Sequence, residues 1–220
     1  MLTANQTYYT VDNLTSEAAL QKLKEGNDRY VLDHVEHPHE GSQRRVDLSI
    51  AQHPFAIILG CADSRVVPEL IFDQGVGDLF VLRVAGNIAD DAVIASIEFA
   101  VEHLGTRLVV VMGHERCGAV MAAINHAFSE GKLTSLINYI EPAIKAGQQI
   151  KGDCVVSDTV KAHANLMVEM IQSTAPILSH EVENGKLKVV PAYYRLATGK
   201  VEFLDMPYSA LRSSPNQENF

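Results

Sequence analysis

Three short apolar runs limit most strongly what this chain can fold into. Each is rich in β-branched residues, is too short for a stable helix and is apolar at nearly every position, so both faces of each strand must be buried. The runs are residues 55–60, 79–84 and 108–112. A helical pattern at 93–104, preceded by Asp90–Asp91 and ended by Gly105, separates the second run from the third. The order strand, helix, strand predicts a right-handed crossover within a parallel sheet.

The rest of the pattern predicts helices around this sheet and one antiparallel edge. An N-terminal helical arm is expected at 15–32, a polar connection at 33–50, and later helices at about 119–128, 133–146 (kinked or interrupted at Pro142), 156–171 and 176–185. The terminal segments LKVVPAYY and VEFL predict a hairpin in which Pro191 marks an edge or a bulge. The predicted fold class is therefore α/β, with a mostly parallel central sheet, an antiparallel edge strand and flanking helices. Residues 1–50 would form the arm and connection, and residues 51–220 a single domain.

Composition excludes several classes of protein. Lys and Arg number 18 against 27 Asp and Glu, the formal net charge is −9, and no basic run is longer than Arg44–Arg45. Nucleic-acid binding and attachment to an anionic membrane both depend on basic surface, so we expect neither. The apolar runs are far shorter than the ~20 residues that span a bilayer, and the first residues lack the pattern of a secretory signal. We therefore predict a cytoplasmic protein, in which spaced cysteines indicate metal binding or catalysis before disulfides.

Side chains that can bind metal follow two of the predicted strands directly. Cys61, Asp63 and Arg65 follow the run at 55–60, and His114 and Cys117 follow the run at 108–112. Because open parallel sheets bind ligands at the carboxyl ends of their strands, two thiols and one imidazole would meet if these strands are neighbours. Zinc prefers such ligands, and three protein ligands with a free fourth position are typical of catalytic zinc. An Asp63 carboxylate held by Arg65 would accept a hydrogen bond beside the metal.

Other interpretations of these and neighbouring residues stay open. A cysteine at the end of a buried strand can be an inert small hydrophobe, and His-x-x-Cys alone is a weak signal. Segment 33–40 holds three histidines and three carboxylates, which indicates either a solvated loop or a second metal site. Cys154 is expected to pack as a small hydrophobe, with a surface thiol as the alternative. His103 and His163 lie in helical patterns and fit either core or surface positions, or a proton relay.

Taken together, these segments resemble the β-class carbonic anhydrases. The resemblance extends from about Leu20 to Leu204 and is carried by CADSRV at 61–66, FDQGVGDLFVLRVAGN at 72–87 and GHERCGAV at 113–120. It implies one zinc ion per subunit held by Cys61, His114 and Cys117, a catalytic pair of Asp63 and Arg65, and reversible hydration of CO₂ to bicarbonate and a proton by zinc-bound hydroxide. It also implies a homodimer, or a dimer of dimers, in which the N-terminal helix lies across the partner.

The resemblance further implies a substrate pocket, part of which comes from the partner chain. Its members would be Gln52, which stands nine residues before Cys61, the wall residues Phe80, Ala85 and Phe99, and Gly118 near the zinc-bound oxygen. Ala85 and Phe99 depart from the pattern of the plant-like branch, in which a larger aliphatic residue and a Tyr are common.

Regulation is expected to differ from that of one branch of the family. That branch binds bicarbonate at a non-catalytic site built around a Trp, whereas Ile58 stands there in this chain and the sequence has no Trp. No such allosteric pocket is predicted, although Arg83 matches the arginine of that site. The family also has an inactive state in which the aspartate becomes the fourth zinc ligand, and Asp63 would be that residue at low pH.

Two alternative functions remain at this point. The same zinc site would also suit hydrolysis of COS or CS₂, although Ser64 favours the ordinary carbonic anhydrase, because the COS-hydrolysing branch resembles C-x-D-A-R. A structural zinc or redox-sensing protein is the other alternative, with Asp63 closing the site or with Cys61 and Cys117 forming a disulfide. A closed site of that kind would leave Arg65 and Gln52 without a purpose.

Overall fold

The structure is a computed structural model that describes residues 14–126, 131–149, 154–174 and 176–205. In chain order the elements are α1 (Ser16–Val31), α2 (Ser42–Asp47), β1 (Ala56–Gly60), α3 (Pro68–Ile71), β2 (Leu79–Arg83), a 3₁₀ turn (Ala85–Asn87), α4 (Asp91–Leu104), β3 (Leu108–His114), α5 (Gly118–Ile124), α6 (Leu133–Gln149), α7 (Val155–Thr174), α8 (Pro176–Glu183), β4 (Lys188–Tyr194) and β5 (Val201–Phe203). The strands form one sheet in the order β2-β1-β3-β4-β5. The pairs β1–β2, β1–β3 and β3–β4 are parallel, and β4–β5 is antiparallel. The predicted fold class is confirmed.

Both faces of the central strands are buried, as the continuous apolar runs predict. Alternate residues of β1 and β3, such as Ile57 and Val109, pack with α4, α7 and α8 on one face. Their neighbours, such as Ile58 and Val110, pack with α1 and the segment around α3 on the other face. The sheet is therefore enclosed by two helical layers, and ligand access is left to the loops at its ends. No helix in the described ranges is both long enough and apolar enough to cross a membrane.

Helix α4 begins and ends at the predicted signals. The side chain of Asp90 accepts a hydrogen bond from the N–H of Val93 at 2.9 Å. Gly105 ends the helix in the left-handed conformation, with φ of 68°. These caps set the length of the crossover between β2 and β3.

Several boundaries differ from the sequence predictions. The polar connection at 33–50 contains the short helix α2, which buries no side chain and therefore leaves no apolar periodicity to detect. Helix α5 ends at Ile124, and its predicted end at Phe128 lies outside the described residues. Helix α6 runs through Pro142 as one element.

The predicted edge or bulge at Pro191 is wrong, because β4 lies between β3 and β5 and its pairing with β3 continues through Pro191 without interruption. The carbonyl of Pro191 accepts a hydrogen bond from Leu204 N, on the β5 side of the strand. The missing N–H of Pro191 points to that same side, where β5 has only three residues, so the ladder between β3 and β4 stays intact.

Helix α1 packs closely against the backbone of Phe72 at Gly26. A Cβ atom there would lie 1.8 Å from Phe72 O, a contact that only backbone movement relieves. We expect Gly26→Ala to lower the free energy of unfolding by about 2–3 kcal/mol, despite the better helix propensity of Ala. Urea unfolding followed by circular dichroism measures this change. Gly41→Ala is the control, because a Cβ there has no neighbour within 4 Å, and equal losses in the two variants would contradict this packing.

Candidate metal centre

Two thiols and one imidazole meet at the carboxyl edge of the sheet. Cys61 directly follows β1, His114 is the last residue of β3, and Cys117 stands just before α5. Because β1 and β3 are parallel neighbours, their carboxyl ends lie side by side. The ligand atoms of the three residues all lie within 4.8 Å of one another, and all three residues are buried. The predicted convergence is confirmed, and no other group of three or more metal-binding side chains forms within the described ranges.

The backbone around His114 directs its imidazole into the centre. Arg116 adopts a left-handed φ of 53° and turns the chain so that Cys117 faces His114. His114 Nδ1 donates to the carbonyl of Glu115 at 2.9 Å, which leaves the lone pair on Nε2. Nε2 is buried and has no hydrogen-bond partner among the described residues. Since a buried polar atom without a partner is costly, its position indicates a ligand.

The charge of the two thiols also fits a cation. The hydrogen bond with Cys117 lowers the pKa of Cys61, whereas the same contact together with burial raises the pKa of Cys117. One thiol of the pair therefore ionises more readily than a free cysteine, and the other resists ionisation unless a cation stabilises it. A divalent ion would remove the remaining proton and bind both thiolates. Bonds of ~2.0 to ~2.3 Å keep ligand atoms within about 4 Å of each other, so small side-chain shifts would bring all three atoms onto one zinc ion.

Asp63 and Arg65 form a bidentate ion pair beside this centre. Arg65 Nε donates to Asp63 Oδ1 at 2.9 Å, and an Arg65 Nη donates to Oδ2 at 2.7 Å. The guanidinium holds the pKa of Asp63 far below its usual range, so the carboxylate only accepts hydrogen bonds. Oδ2 lies 3.9 Å from His114 Nε2. The carboxylate therefore borders the metal position while remaining paired with Arg65.

Gln52 lies at the amino end of the parallel strands, opposite to the end that carries the thiols. It is exposed and precedes β1, near the point where Phe55 N donates to Asp78 O at 2.9 Å. The five residues of β1, at ~3.3 Å each, place roughly 15 Å between this end and Cys61. A role for Gln52 beside Cys61 thus requires the Gln52 of a second copy.

The other predicted pocket residues differ in their position and burial. Ala85 begins the 3₁₀ turn that contacts Cys61, and Gly118 directly follows Cys117 with no atom within 4 Å of a Cβ built there. Phe80 is half-buried on β2, the end strand of the sheet. Phe99 is exposed on α4, with its ring 5.2 Å from that of His103. Their contact with substrate stays a prediction.

Four supporting hydrogen bonds were not predicted from the sequence. Arg83 donates to the carbonyls of Cys61 and Asp63, at 3.0 and 2.6 Å, and so fixes the loop that carries both residues. Gly86 N donates to Cys61 Sγ at 3.4 Å, and His163 Nε2 donates to Gly86 O at 2.8 Å. Two of the residues involved, Arg83 and Gly86, lie in the segment VLRVAGN, which was the only sequence signal for these contacts. The contacts themselves join residues up to 77 positions apart, so no local pattern reveals them.

His163 and Cys154 resolve two of the open alternatives. His163 is fully buried, in agreement with a core position, whereas His103 is exposed. The prediction that Cys154 packs as a small hydrophobe is wrong, because the residue is exposed at the start of α7 with its Sγ 3.4 Å from Ser157 Oγ. The sequence just before Cys154, at residues 151–153, carries no apolar pattern that would predict burial of the thiol.

The histidine-rich segment 33–40 does not form a metal group. His39 Nδ1 donates to Asp78 at 2.8 Å, and the buried carboxylate of Asp73 accepts the N–H groups of Glu36 and His37. The segment is therefore fixed by two buried carboxylates that lie far from it in sequence.

Burial makes His163 a source of pH-dependent stability. Desolvation lowers its pKa from 6.5 to about 4, although the bond to Gly86 O opposes this shift. The unfolded chain binds a proton below about pH 6.5, while the folded protein resists it down to about pH 4. The contribution of neutral His163 to the free energy of unfolding is complete above pH ~6.5. It is lost as the pH falls to ~4, and the loss amounts to up to about 3 kcal/mol. We expect urea unfolding to show that His163→Gln loses less free energy of unfolding between pH ~7 and ~4 than the wild type does. Equal losses in the two proteins would contradict this role of His163.

Comparison with known proteins agrees with this class of site, a Cys₂His centre at the carboxyl edge of an α/β sheet. The carbonic anhydrase family profile matches residues 56–201. The carbonic anhydrase of Mycolicibacterium smegmatis is 40% identical over 86% of this chain and 94% of its own length. Carbonic anhydrase 2 of Mycobacterium tuberculosis is 38% identical over 88% and 95%. The chain therefore belongs to the β-class carbonic anhydrase family.

Solved structures lead to the same family. A β-carbonic anhydrase of Aspergillus fumigatus is 29% identical, with a TM-score of 0.65 over 90% of this chain and 95% of its own. The Coccomyxa β-carbonic anhydrase, solved in complex with acetazolamide, is 26% identical, with a TM-score of 0.66 over 84% and 86%.

Proposed function

We propose that this protein is a zinc-dependent carbonic anhydrase that catalyses the reversible hydration of CO₂ to bicarbonate and a proton. The observation that carries the proposal is the buried group of Cys61, His114 and Cys117 beside an intact Asp63–Arg65 pair. Family membership supports the same reaction. Bound zinc would supply Lewis acidity, which makes water a nucleophile near neutral pH.

The residues of the chain orient and hold the reactants. Cys61 and Cys117 would neutralise the charge of the ion, and His114 Nε2 would complete three protein ligands, with one position left free. Asp63 Oδ2 would accept the hydrogen of the attacking oxygen and so direct its lone pair towards CO₂. Arg65 keeps Asp63 ionised and in place for that task.

The substrate pocket would be completed by a partner. Phe80, Ala85, Phe99 and Gly118 would provide apolar or open surface near the centre, and Gln52 of a second copy would orient the substrate. This arrangement requires at least a homodimer, and a dimer of dimers would preserve it. The end strand β2 has one edge without a strand partner among the described residues, which leaves room for such an assembly.

Subunit complementation tests the partner role of Gln52. We expect Gln52→Ala to lower kcat/KM about 10-fold or more, because substrate orientation is lost. Cys61→Ser subunits carry an intact Gln52. Mixing and reassembling them with the impaired Gln52→Ala subunits should therefore restore about a quarter of the wild-type sites if each site is shared across a dimer. CO₂ hydration by the mixture measures this recovery. An absence of recovery, with mixed dimers present, would contradict the shared site.

Metal analysis and a CO₂ hydration assay test the proposed function directly. We expect one zinc per chain and a kcat/KM for CO₂ within the usual enzymatic range of about 10⁴–10⁸ M⁻¹ s⁻¹, measured across pH ~6.5 to ~8.5. COS hydrolysis is assayed beside it and should be slower. Faster hydrolysis of COS would favour the alternative enzyme, and a zinc-loaded protein without either activity would contradict the proposal.

A further inference from the structure

The 3₁₀ turn at Ala85–Asn87 holds an unusual backbone directly against a ligand sulfur. Gly86 has φ of 72° and ψ of 17°, and Asn87 has φ of 43°. Glycine adopts this conformation without strain, whereas Asn87 does so at a cost and stays there only because the surroundings hold it. This geometry directs Gly86 N–H at Cys61 Sγ, 3.4 Å away.

The turn is held from one side by packing and from the other by a buried histidine. A Cβ built on Gly86 would lie 3.1 Å from Ile140 and 3.3 Å from Ala119, so α5 and α6 close over the turn. His163 enters from α7 and donates from Nε2 to Gly86 O at 2.8 Å. The carbonyl only accepts, so Nε2 carries the proton, and burial keeps the imidazole neutral. His163 Nδ1 has no hydrogen-bond partner in the described part of the chain.

We infer that His163 is a positioning residue for the metal centre, which fixes the Gly86 carbonyl so that Gly86 N–H stays directed at the Cys61 sulfur. The two peptide groups flank the same Cα, so holding one restricts the dihedral angle that aims the other. An N–H donor on a metal-bound thiolate withdraws charge from the sulfur and tunes the metal. His163 acts only through Gly86 and touches neither metal nor substrate. The inference rests on the zinc site proposed above.

Two substitutions separate this role from simple packing. His163→Gln places an amide N–H at about the reach of the imidazole Nε2, whereas His163→Met fills similar length without a donor. Ile171→Ala is the matched control, because Ile171 is fully buried two turns further along α7 and its loss destabilises the same helix. If His163 served only packing, the Gln and Met variants would behave alike.

Nuclear magnetic resonance of the ¹¹³Cd-loaded protein tests the hydrogen bond itself. We expect a scalar coupling between the Gly86 amide proton and the bound cadmium, transmitted through Cys61 Sγ. The coupling should persist in His163→Gln and Ile171→Ala and be lost in His163→Met. Its absence from the wild type with cadmium bound, or its persistence in His163→Met, would overturn the inference, and the wild-type result stands even if the Met variant does not fold.

Zinc affinity gives a second measurement on the same four proteins. Competition with a chelator should show about 10-fold weaker zinc binding in His163→Met and less than about 2-fold change in the other two variants. If zinc binding were weakened in Ile171→Ala as much as in His163→Met, the inference would be overturned, while the proposed enzyme function would stand. A wild-type protein that binds neither ion would instead overturn the zinc site on which the inference rests.

Discussion

Cys61→Ser is expected to remove zinc from the purified protein and to lower kcat/KM for CO₂ hydration by at least about 1,000-fold. A serine hydroxyl stays protonated and is a poor zinc ligand, whereas a cysteine thiol ionises far more readily, and the hydrogen bond with Cys117 lowers the pKa of Cys61 further. Only His114 and Cys117 would then hold the ion. Among the described residues, Asp63 is the carboxylate that borders the site. Its ion pair with Arg65 keeps it from replacing the lost ligand.

Cys154→Ser provides the matched control for this experiment. It makes the same chemical change at the exposed third cysteine and should keep one zinc per chain with unchanged activity. Metal analysis and stopped-flow hydration are measured on both variants. A Cys61→Ser protein that retains full zinc and activity would refute the assignment of Cys61 as a ligand, as would equal losses in the two variants.

Asp63→Asn is expected to keep zinc bound and to lower kcat/KM by about 10²–10³-fold, the usual scale for loss of a proton-accepting group. Asn has nearly the same shape, but it is neutral and cannot hold Arg65 through two charged hydrogen bonds. Its amide can also point a donor at the site, which would misdirect the attacking oxygen. The change therefore alters the chemistry while leaving the ligand group in place.

Arg65→Ala tests whether the two residues act as one unit. Arg65→Ala should retain zinc and lose about as much kcat/KM as Asp63→Asn. The double variant should lose little more kcat/KM than either single variant. Asp91→Asn, at an exposed carboxylate in the first turn of α4, is the control and should leave kcat/KM unchanged. Unchanged activity in both Asp63→Asn and Arg65→Ala would refute the proposed role of the pair.

The sequence predicted the centre because its residues follow strand ends directly. Cys61 and His114 are fixed by the lengths of two buried strands, and parallel strands place their ends at one edge. Once β1 and β3 are neighbours, Cys61 and His114 lie side by side, and the left-handed turn at Arg116 brings Cys117 to them. The same local signals, Asp90 and Gly105, set the ends of α4.

The supporting contacts were beyond prediction because they join distant segments through backbone atoms. Arg83, Gly86 and His163 act on or through carbonyl and amide groups, which carry no residue-specific pattern. The exposed helix α2 and the exposed Cys154 were missed for a related reason. Neither buries an apolar side chain, so neither leaves a periodic signal.

The zinc K-edge X-ray absorption spectrum of the purified protein reports the ligand set of the metal itself. We expect two sulfur atoms at about 2.3 Å, one imidazole nitrogen at about 2.0 Å and a single further light atom around each zinc. Sulfur scattering should fall to one atom or vanish in Cys61→Ser and stay at two in Cys154→Ser. A wild-type spectrum without sulfur ligands, or with more than one histidine on the metal, would refute the assignment of Cys61, His114 and Cys117 as the zinc ligands.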